Sequence, residues 1–387
     1  MVKAIKVMLI PNNVQETKMF EYAGASRFAY NWALAREKEN YEKGGRFISD
    51  SELRKEFTKL RHSDEYAWLL NISNNVTKQA IKDACNAYKN FFKGLKKNPR
   101  FKSRKRSMPK FYQDNVKIQF SNTHVKLEGF SSSRKANKQK LNWVRLAEHG
   151  RISTDAKYMN PRISFDGLNW WISVCVEFPD CKEILNDDGV GIDLGIKDLA
   201  VCSDAVKYKN INKSQKVKKL EKQKRRLQRS ISRSYEKNKK GESYCKTNNV
   251  IKKEKLLLKR NHRLTNIRKN YLNQTISEIV NRKPRFICIE DLNVSGMMKN
   301  RHLSKVVQEQ GFFLFRKQLE YKCSDKGIQL IVADRFYPSS KLCSCCGKIK
   351  EDLKLSDRIY RCECGNMIDR DFQASINLKA YGERFAS

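Results

Sequence analysis

The spacing of apolar positions along this 387-residue chain changes several times, and each change marks an element. Residues 2–10, VKAIKVMLI, alternate apolar and polar and predict a strand. From about Gln15 to Leu95 the period turns helical. Phe20, Ala23, Phe28 and Trp32 share one face; Ile72, Val76, Ala80, Ala84, Tyr88 and Phe91 share the face of a second long helix. These aromatics read as packing between helices, which leaves Asn75, Lys78 and Gln79 facing outward. Residues 116–180 return to β patterning in VKIQF, HVKLEGF, WVRLA, PRISF and WWISVCVEF. Asp166-Gly167 forms a hairpin turn there, and SSSRKANKQK a loop. With the first strand, these segments predict a small barrel or curled sheet.

Beyond Pro179 the composition shifts. GVGIDLG and LAVCSD read as a strand pair, FICIE as a short buried strand, residues 304–326 as an amphipathic helix and IQLIVAD as a strand. A final helix runs from about Asp371 to Tyr381. This order of strands and helices predicts an α/β layered sheet. Within it, Lys213 to Arg263 holds twenty Lys/Arg against four Glu, with helical periodicity on both sides of a turn near Lys239-Lys240-Gly241. A basic antiparallel helix pair follows. Its Leu/Ile stripe is thin for a coiled coil, and charge of nearly one sign favours a nucleic-acid partner.

Charge extends that reading to the whole chain. There are 80 Lys+Arg against 42 Asp+Glu, a net +38, which repels itself unless a polyanion is bound. The loop LKKNPRFKSRKRSMPK, broken by Pro99 and Pro109, offers Lys102, Arg104, Lys105 and Arg106 to a phosphate backbone; the basic helices offer Arg225, Arg226 and Arg229. A membrane surface fits less well, since the chain shows no lipidation motif, signal peptide or long apolar run. Of 12 cysteines, five cluster between Cys343 and Cys364. Cys85, Cys175, Cys181, Cys202, Cys245, Cys288 and Cys323 are scattered and read as core thiols of a reduced, cytosolic protein.

The cluster carries the first candidate chemistry. Cys343-Ser-Cys345-Cys346-Gly347 and Cys362-Glu-Cys364-Gly365 are two knuckles about fifteen residues apart, the spacing of a tetrahedral zinc ribbon. The expected ligands are Cys343, Cys346, Cys362 and Cys364. The second pair is tighter than the usual C-x₂-C, and Cys345 is an alternative ligand. The second candidate is a set of carboxylates. Asp193 lies inside the apolar GVGIDLG, and Glu290 closes FICIE, where burial without a cation would be costly. Asp369 or Asp371 supplies a third at the last helix; Asp369 also suits a helix cap or salt-bridge partner. Asp198 and Asp291 read as surface or turn residues. Carboxylates converging at one sheet edge can hold two divalent cations about 3.5–4 Å apart and split a phosphodiester by in-line water attack.

GVGIDLGIKDLAV, FICIEDLNVSGM and YPSSKLCSCCG…YRCECGNMIDRDFQASINL resemble the three RuvC-like motifs and zinc ribbon of TnpB, the RNA-guided nuclease family of prokaryotic insertion sequences and a relative of miniature type V CRISPR effectors. VMLIPNNVQ, SRFAYNWAL and AYKNFFKG followed by PRFKSRK extend the resemblance over nearly the whole chain. It implies an α+β multidomain fold. A β-barrel wedge domain (residues 1–12 and 111–184) carries an inserted helical recognition domain (13–110). An RNase H-like RuvC domain follows (185–342 and 365–387), with a basic helical insertion (213–282) and the zinc ribbon (343–364). It also implies a guide RNA from the transposon end, double-stranded target DNA read beside a short adjacent motif, and Mg²⁺-dependent cleavage. Asp193 and Glu290 match the first two catalytic carboxylates. Asp371-Phe-Gln-Ala-Ser fits the frame of the third, with Gln373 where the family usually has Asn, so the resemblance selects Asp371. It places motif reading on the recognition helices, around Asn75, Lys78 and Gln79. A silent RNA-guided regulator could lose these carboxylates; all three are present. A CRISPR effector would differ only in its neighbouring DNA, and a cut-and-paste transposase would need no guide.

Overall fold

Alternation in residues 2–10 becomes strand β1 (Val2–Ile10), followed by a capped helix, α1 (Asn13–Glu42). The Asn12 side chain accepts from the Gln15 backbone N–H at 2.9 Å, and the Gln15 side chain accepts from Asn12 N–H at 3.0 Å, closing a capping box. The computed structural model describes residues 2–130, 141–179, 183–354 and 356–386. The SSSRKANKQK loop and Cys181 lie outside the described residues. The chain divides into two compact units, Met1–Pro179 and Asp180–Ser387.

In the first unit α1 is followed by α2 (Asp50–Arg61), a 3₁₀ turn (Asp64–Asn71) and α3 (Asn74–Phe92). Ser73 caps α3, so the helix starts two residues after the apolar pattern does. The strands are β2 (Lys110–Tyr112), β3 (Gln119–Phe120), β4 (His124–Lys126), β5 (Trp143–Leu146), β6 (Tyr158–Phe165) and β7 (Trp170–Glu177). They form one antiparallel sheet in the order β2-β6-β7-β1-β5-β4-β3. Among the described residues the end strands β2 and β3 do not pair, so the pairing runs open rather than round a ring. The hairpin expected at Asp166-Gly167 is present: the Asp166 carboxylate accepts from Leu168 N–H, Asn169 N–H and the Trp171 indole, and Gly167 takes φ +95°. Met19, Tyr22, Val76 and Ile81 of the helices share a buried core with Val7, Phe111, Trp170 and Ile172 of the sheet.

The second unit contains β8 (Val190–Leu194), β9 (Asp198–Cys202) and β10 (Lys207–Lys209). Then come α4 (Gln215–Lys237), the hairpin β11 (Lys239–Lys240) and β12 (Ser243–Tyr244), and α5 (Asn248–Asn281). The chain continues with β13 (Phe286–Glu290), α6 (Val294–Lys299), α7 (Ser304–Gln310), α8 (Phe312–Lys326) and β14 (Gln329–Ala333). It ends with the hairpin β15 (Ile359–Arg361) and β16 (Met367–Asp369), and α9 (Arg370–Phe385). Five strands form a sheet ordered β10-β9-β8-β13-β14, with β8, β13 and β14 parallel. One face packs Ile192, Ile287 and Ile289 against Ile276 and Ile279 of α5 and Phe315 and Leu319 of α8. The opposite face carries α9, which packs Leu378 on Phe286 and Cys288. The sheet is thus covered on both faces, which is why FICIE reads as a continuous apolar run. The basic helix pair forms as expected: Val217 and Leu220 of α4 meet Leu264 of α5 in a small seam. No helix among the described residues is long and apolar enough to cross a membrane.

Candidate functional site

Register brings the first two carboxylates together. On adjacent parallel strands Ile192 pairs with Ile289, so Asp193 and Glu290 each follow one residue later at the carboxyl ends of β8 and β13. That edge of an α/β sheet is where ligands are usually bound. Side chains alternate along a strand, so Asp193 shares its face with Gly191, and Glu290 with Cys288. This is the face α9 covers. A methyl at Gly191 would stand 2.1 Å from the Ser375 carbonyl oxygen and 2.3 Å from the Lys379 nitrogen; only glycine admits so close a helix. At Gly382 a methyl would meet the Phe286 ring at 2.3 Å. The helix so seated starts with Arg370-Asp371 at the same edge.

Asp369 and Asp371 have separate tasks. The Asp369 carboxylate caps α9, accepting from the Asp371 and Phe372 backbone N–H groups at 3.1 Å each, and pairs with Lys207 at 3.2 Å. Burial works against its ionisation, but the Phe372 N–H and Lys207 hold its carboxyl below the ordinary value. Asp371 lies in the first turn, half-buried, with Arg370 3.5 Å away. Asp198 opens β9, and Asp291 is held by Arg316 at 2.6 Å and Arg335 at 2.5 Å, its carboxyl lowered by those two guanidiniums.

Burial pushes the Asp193 carboxyl well above its ordinary value, and the charges of Glu290 and Asp371 push it further, against a smaller pull from Arg370. Burial also raises Glu290, partly offset by a hydrogen bond that the Ser339 hydroxyl donates to it. Among the described residues, neither Asp193 nor Glu290 is in an ion pair with Lys or Arg. Half-buried like charges at one sheet edge, with only Arg370 to offset them, fit a site built for bound divalent cations. The three carboxylates are not drawn as tightly as the cysteines, which are the one group among the described residues whose ligand atoms all lie within 4.8 Å of one another.

That group is Cys343, Cys346, Cys362 and Cys364, as expected; Cys345 is exposed and outside it. The sulfur pairs Cys343–Cys364 and Cys346–Cys362 are 3.6 Å apart, close to the roughly 3.8 Å between sulfurs bound tetrahedrally at about 2.3 Å. Gly347 and Gly365 adopt φ +72° and +87° to close the knuckles. Burial opposes ionisation of Cys343, yet the Cys346 backbone N–H and the Asn366 amide draw its thiol down to about 6. The C-x-C spacing is accommodated because β15 and β16 flank the second knuckle as a hairpin. The donor set fits zinc.

The residues assigned to nucleic acid fall into different environments. Arg104, Lys105 and Arg106 are exposed, as are Arg225, Arg226 and Arg229, which line one groove with Lys218, Lys222 and Lys305. Lys78 is exposed, whereas Asn75 donates to Glu128 at 3.2 Å and Gln79 to Asp83 at 2.9 Å; these two do not simply face outward. The Lys102 ammonium lies 3.1 Å from the Tyr30 ring centroid, and burial draws it down to about 7. It packs inward rather than lying open to a phosphate. Of the scattered thiols, Cys85, Cys202, Cys288 and Cys323 are buried and pushed up to about 12 by burial, Cys175 is half-buried, and Cys245 is exposed. Ser339, Gln373 and Asn377, which frame the acidic edge, carry no periodicity or charge signal that would have marked them.

Residues 173–301 match the family model OrfB of IS605, described as "Probable transposase", and residues 312–378 match the Cas12f1-like TNB domain. Residues 1–46 match a model described as a helix-turn-helix domain, although here they form β1 and the single long helix α1. The chain is 30% identical over 398 residues to "Putative RNA-guided DNA endonuclease InsQ" of Escherichia coli K12, covering 98% of this chain and 92% of that protein. It is 28% identical to a "Putative RNA-guided DNA endonuclease" of Streptomyces pristinaespiralis, with 98% and 89% covered. Its fold resembles the protein of a Cas12f1–sgRNA–target DNA complex solved by cryo-EM, with a TM-score of 0.62 at 11% identity over 98% of both chains. The chain belongs to the TnpB family, the OrfB proteins of IS605-type elements.

Proposed function

We propose that this chain is an RNA-guided DNA endonuclease in which Asp193, Glu290 and Asp371 carry the hydrolysis. The observation that carries the reading is the pair of half-buried carboxylates at the ends of adjacent parallel strands, with a third on the first turn of the helix packed over them. These three side chains would hold a pair of Mg²⁺ ions, which would supply Lewis-acid activation of water and of the phosphate. The chain's part is to hold the carboxylates in place. β8 and β13 set two of them by register, Asp369 anchors the helix that bears the third, and Ser339 orients Glu290. Cations held there would offset the repulsion of its neighbours that, together with burial, raises Asp193.

Guide and target recognition rest on the basic surfaces. Arg225, Arg226 and Arg229 on α4, and Arg104, Lys105 and Arg106 in the first unit, would track phosphate backbones of guide RNA and target DNA. The antiparallel sheet of the first unit takes the wedge role and helices α1–α3 the recognition role, with the adjacent motif read on α3 around the exposed Lys78, Asn75 and Gln79 being engaged by Glu128 and Asp83. Zinc held by the four cysteines keeps the ribbon folded. Presence of all three carboxylates favours a cutting enzyme over a silent regulator.

The test is protein co-expressed with its native flanking DNA. Copurified RNA is sequenced and its 3′ end reprogrammed against a plasmid library with randomised flanks. Mg²⁺-dependent loss of plasmids carrying one flanking motif, abolished by Asp193→Ala, supports the reading. Guided binding without cleavage would indicate the silent regulator, and absence of a discrete RNA would overturn guidance.

A further inference from the structure

The zinc ribbon and the acidic edge share a network of hydrogen bonds centred on one buried carboxamide. Gln373 lies two residues after Asp371, fully buried on the first turns of α9. Its Nε2 donates to the Leu342 carbonyl at 2.7 Å, next to the ligand Cys343. Its Oε1 accepts from the Ser344 hydroxyl at 2.9 Å and from Asn366 Nδ2 at 3.3 Å. The same Asn366 amide donates to Cys343 Sγ at 3.4 Å. One turn on, buried Asn377 donates to the Leu342 and Ser339 carbonyls at 2.7 Å each, and Ser339 in turn donates to Glu290. Both ribbon knuckles are therefore tied to the helix that bears Asp371, and the segment leading into the first knuckle is tied to Glu290.

We infer that Gln373 is a positioning residue: it transmits the folded, zinc-loaded state of the ribbon to the start of α9, so that zinc occupancy sets the placement of Asp371. The physical reason is satisfaction of buried polar groups. All three hydrogen bonds of Gln373 go to the first knuckle and the loop of the second, so the first turn of α9 cannot keep its place if the ribbon unfolds without leaving a buried carboxamide unpaired. An ordinary structural zinc would stabilise the unit as a whole; this ribbon is hydrogen-bonded to a particular turn. The inference rests on the catalytic role proposed for Asp371, but its test does not depend on cleavage.

The experiment compares full-length wild type, Gln373→Leu, Gln373→Asn and Asn366→Ala, each purified with its native RNA, by zinc content, hydrogen exchange of the α9 amides, and Mg²⁺ dependence of cleavage. Asn366 is partly solvent-exposed, so its truncation leaves folding intact if Gln373→Leu does not fold. Expected for Gln373→Leu and Asn366→Ala are one zinc per chain, amides at 371–377 exchanging at least about tenfold faster, and a Mg²⁺ requirement raised about tenfold. Zinc-stripped wild type should show the same local exchange, and Gln373→Asn, which keeps donor and acceptor, should recover part of the loss. Unchanged exchange at 371–377 in zinc-bearing variants, or faster exchange spread evenly over the unit, overturns the coupling. Wild type that never cuts would refute the nuclease reading alone, since exchange still decides the coupling.

Discussion

Gly191→Ala tests the packing that assembles the acidic edge. The added Cβ would lie 2.1 Å from the Ser375 carbonyl oxygen and 2.3 Å from the Lys379 nitrogen, where ordinary contact begins at 3.4 Å. Both neighbours are helix backbone, so no side chain can swing aside; α9 must retreat from β8 by about 1.3 Å, the difference between 2.1 and 3.4 Å. Overpacking of that kind costs about 1–3 kcal/mol. On the role proposed for Asp371 the effect on chemistry is of similar size, because Asp371 rides on the displaced helix while Asp193, on the same strand as the new methyl, does not. A misplacement of about 1 Å in reacting groups can cost on the order of 100-fold in rate. Single-turnover cleavage at saturating guide and target isolates the chemical step, and thermal unfolding reports stability separately. The expected result is a slowing of about 100-fold with guide and target affinity preserved. Cleavage within threefold of wild type would refute the claim that close β8–α9 packing places the third carboxylate.

Other predictions follow from the charges and thiols. Asp193→Asn should raise the melting temperature of metal-free protein at neutral pH while abolishing cleavage. A carboxyl whose folded pKa is raised is destabilising once pH passes its ordinary value, and the amide removes that penalty. By the same sign, metal-free wild type should lose stability as pH rises from the ordinary carboxylate value towards the raised one, and Mg²⁺ should restore it; a flat profile would contradict buried like charges. Cys346→Ser should lose the ribbon's zinc whereas Cys345→Ser keeps one per chain, read by a colorimetric chelator after unfolding. Replacing Arg225, Arg226 and Arg229 together by Ala should flatten the slope of log affinity against log salt by about 2–3, at roughly 0.7–0.9 per phosphate contact, and an unchanged slope would remove that groove from the nucleic-acid path.

Much of the site could be read from residue patterns because its parts have local causes. Asp193 and Glu290 interrupt apolar strands, where an acidic residue is expensive and so conspicuous. The cysteine knuckles follow from spacing, and the polyanion partner from net charge. Choice between Asp369 and Asp371 was open on spacing alone. In the folded chain Asp369 caps α9 and pairs with Lys207, and the charge of Asp371 bears on Asp193 more strongly than that of Asp369. Expectations for Asn75, Gln79 and Lys102 changed because partners distant in sequence, Glu128 and Tyr30, engage two of them, and the i+4 neighbour Asp83 engages Gln79.

By itself, then, the sequence determined most element types and the four cysteines that cluster, and it marked Asp193 and Glu290 as candidates, since propensity, periodicity and ligand spacing act over a few residues. Tertiary structure alone decided which carboxylates meet, how closely α9 approaches β8, and that Gln373 links ribbon to helix. Those depend on strand register, close packing and hydrogen bonds between segments from about thirty to about 180 residues apart, where no local period records the pairing.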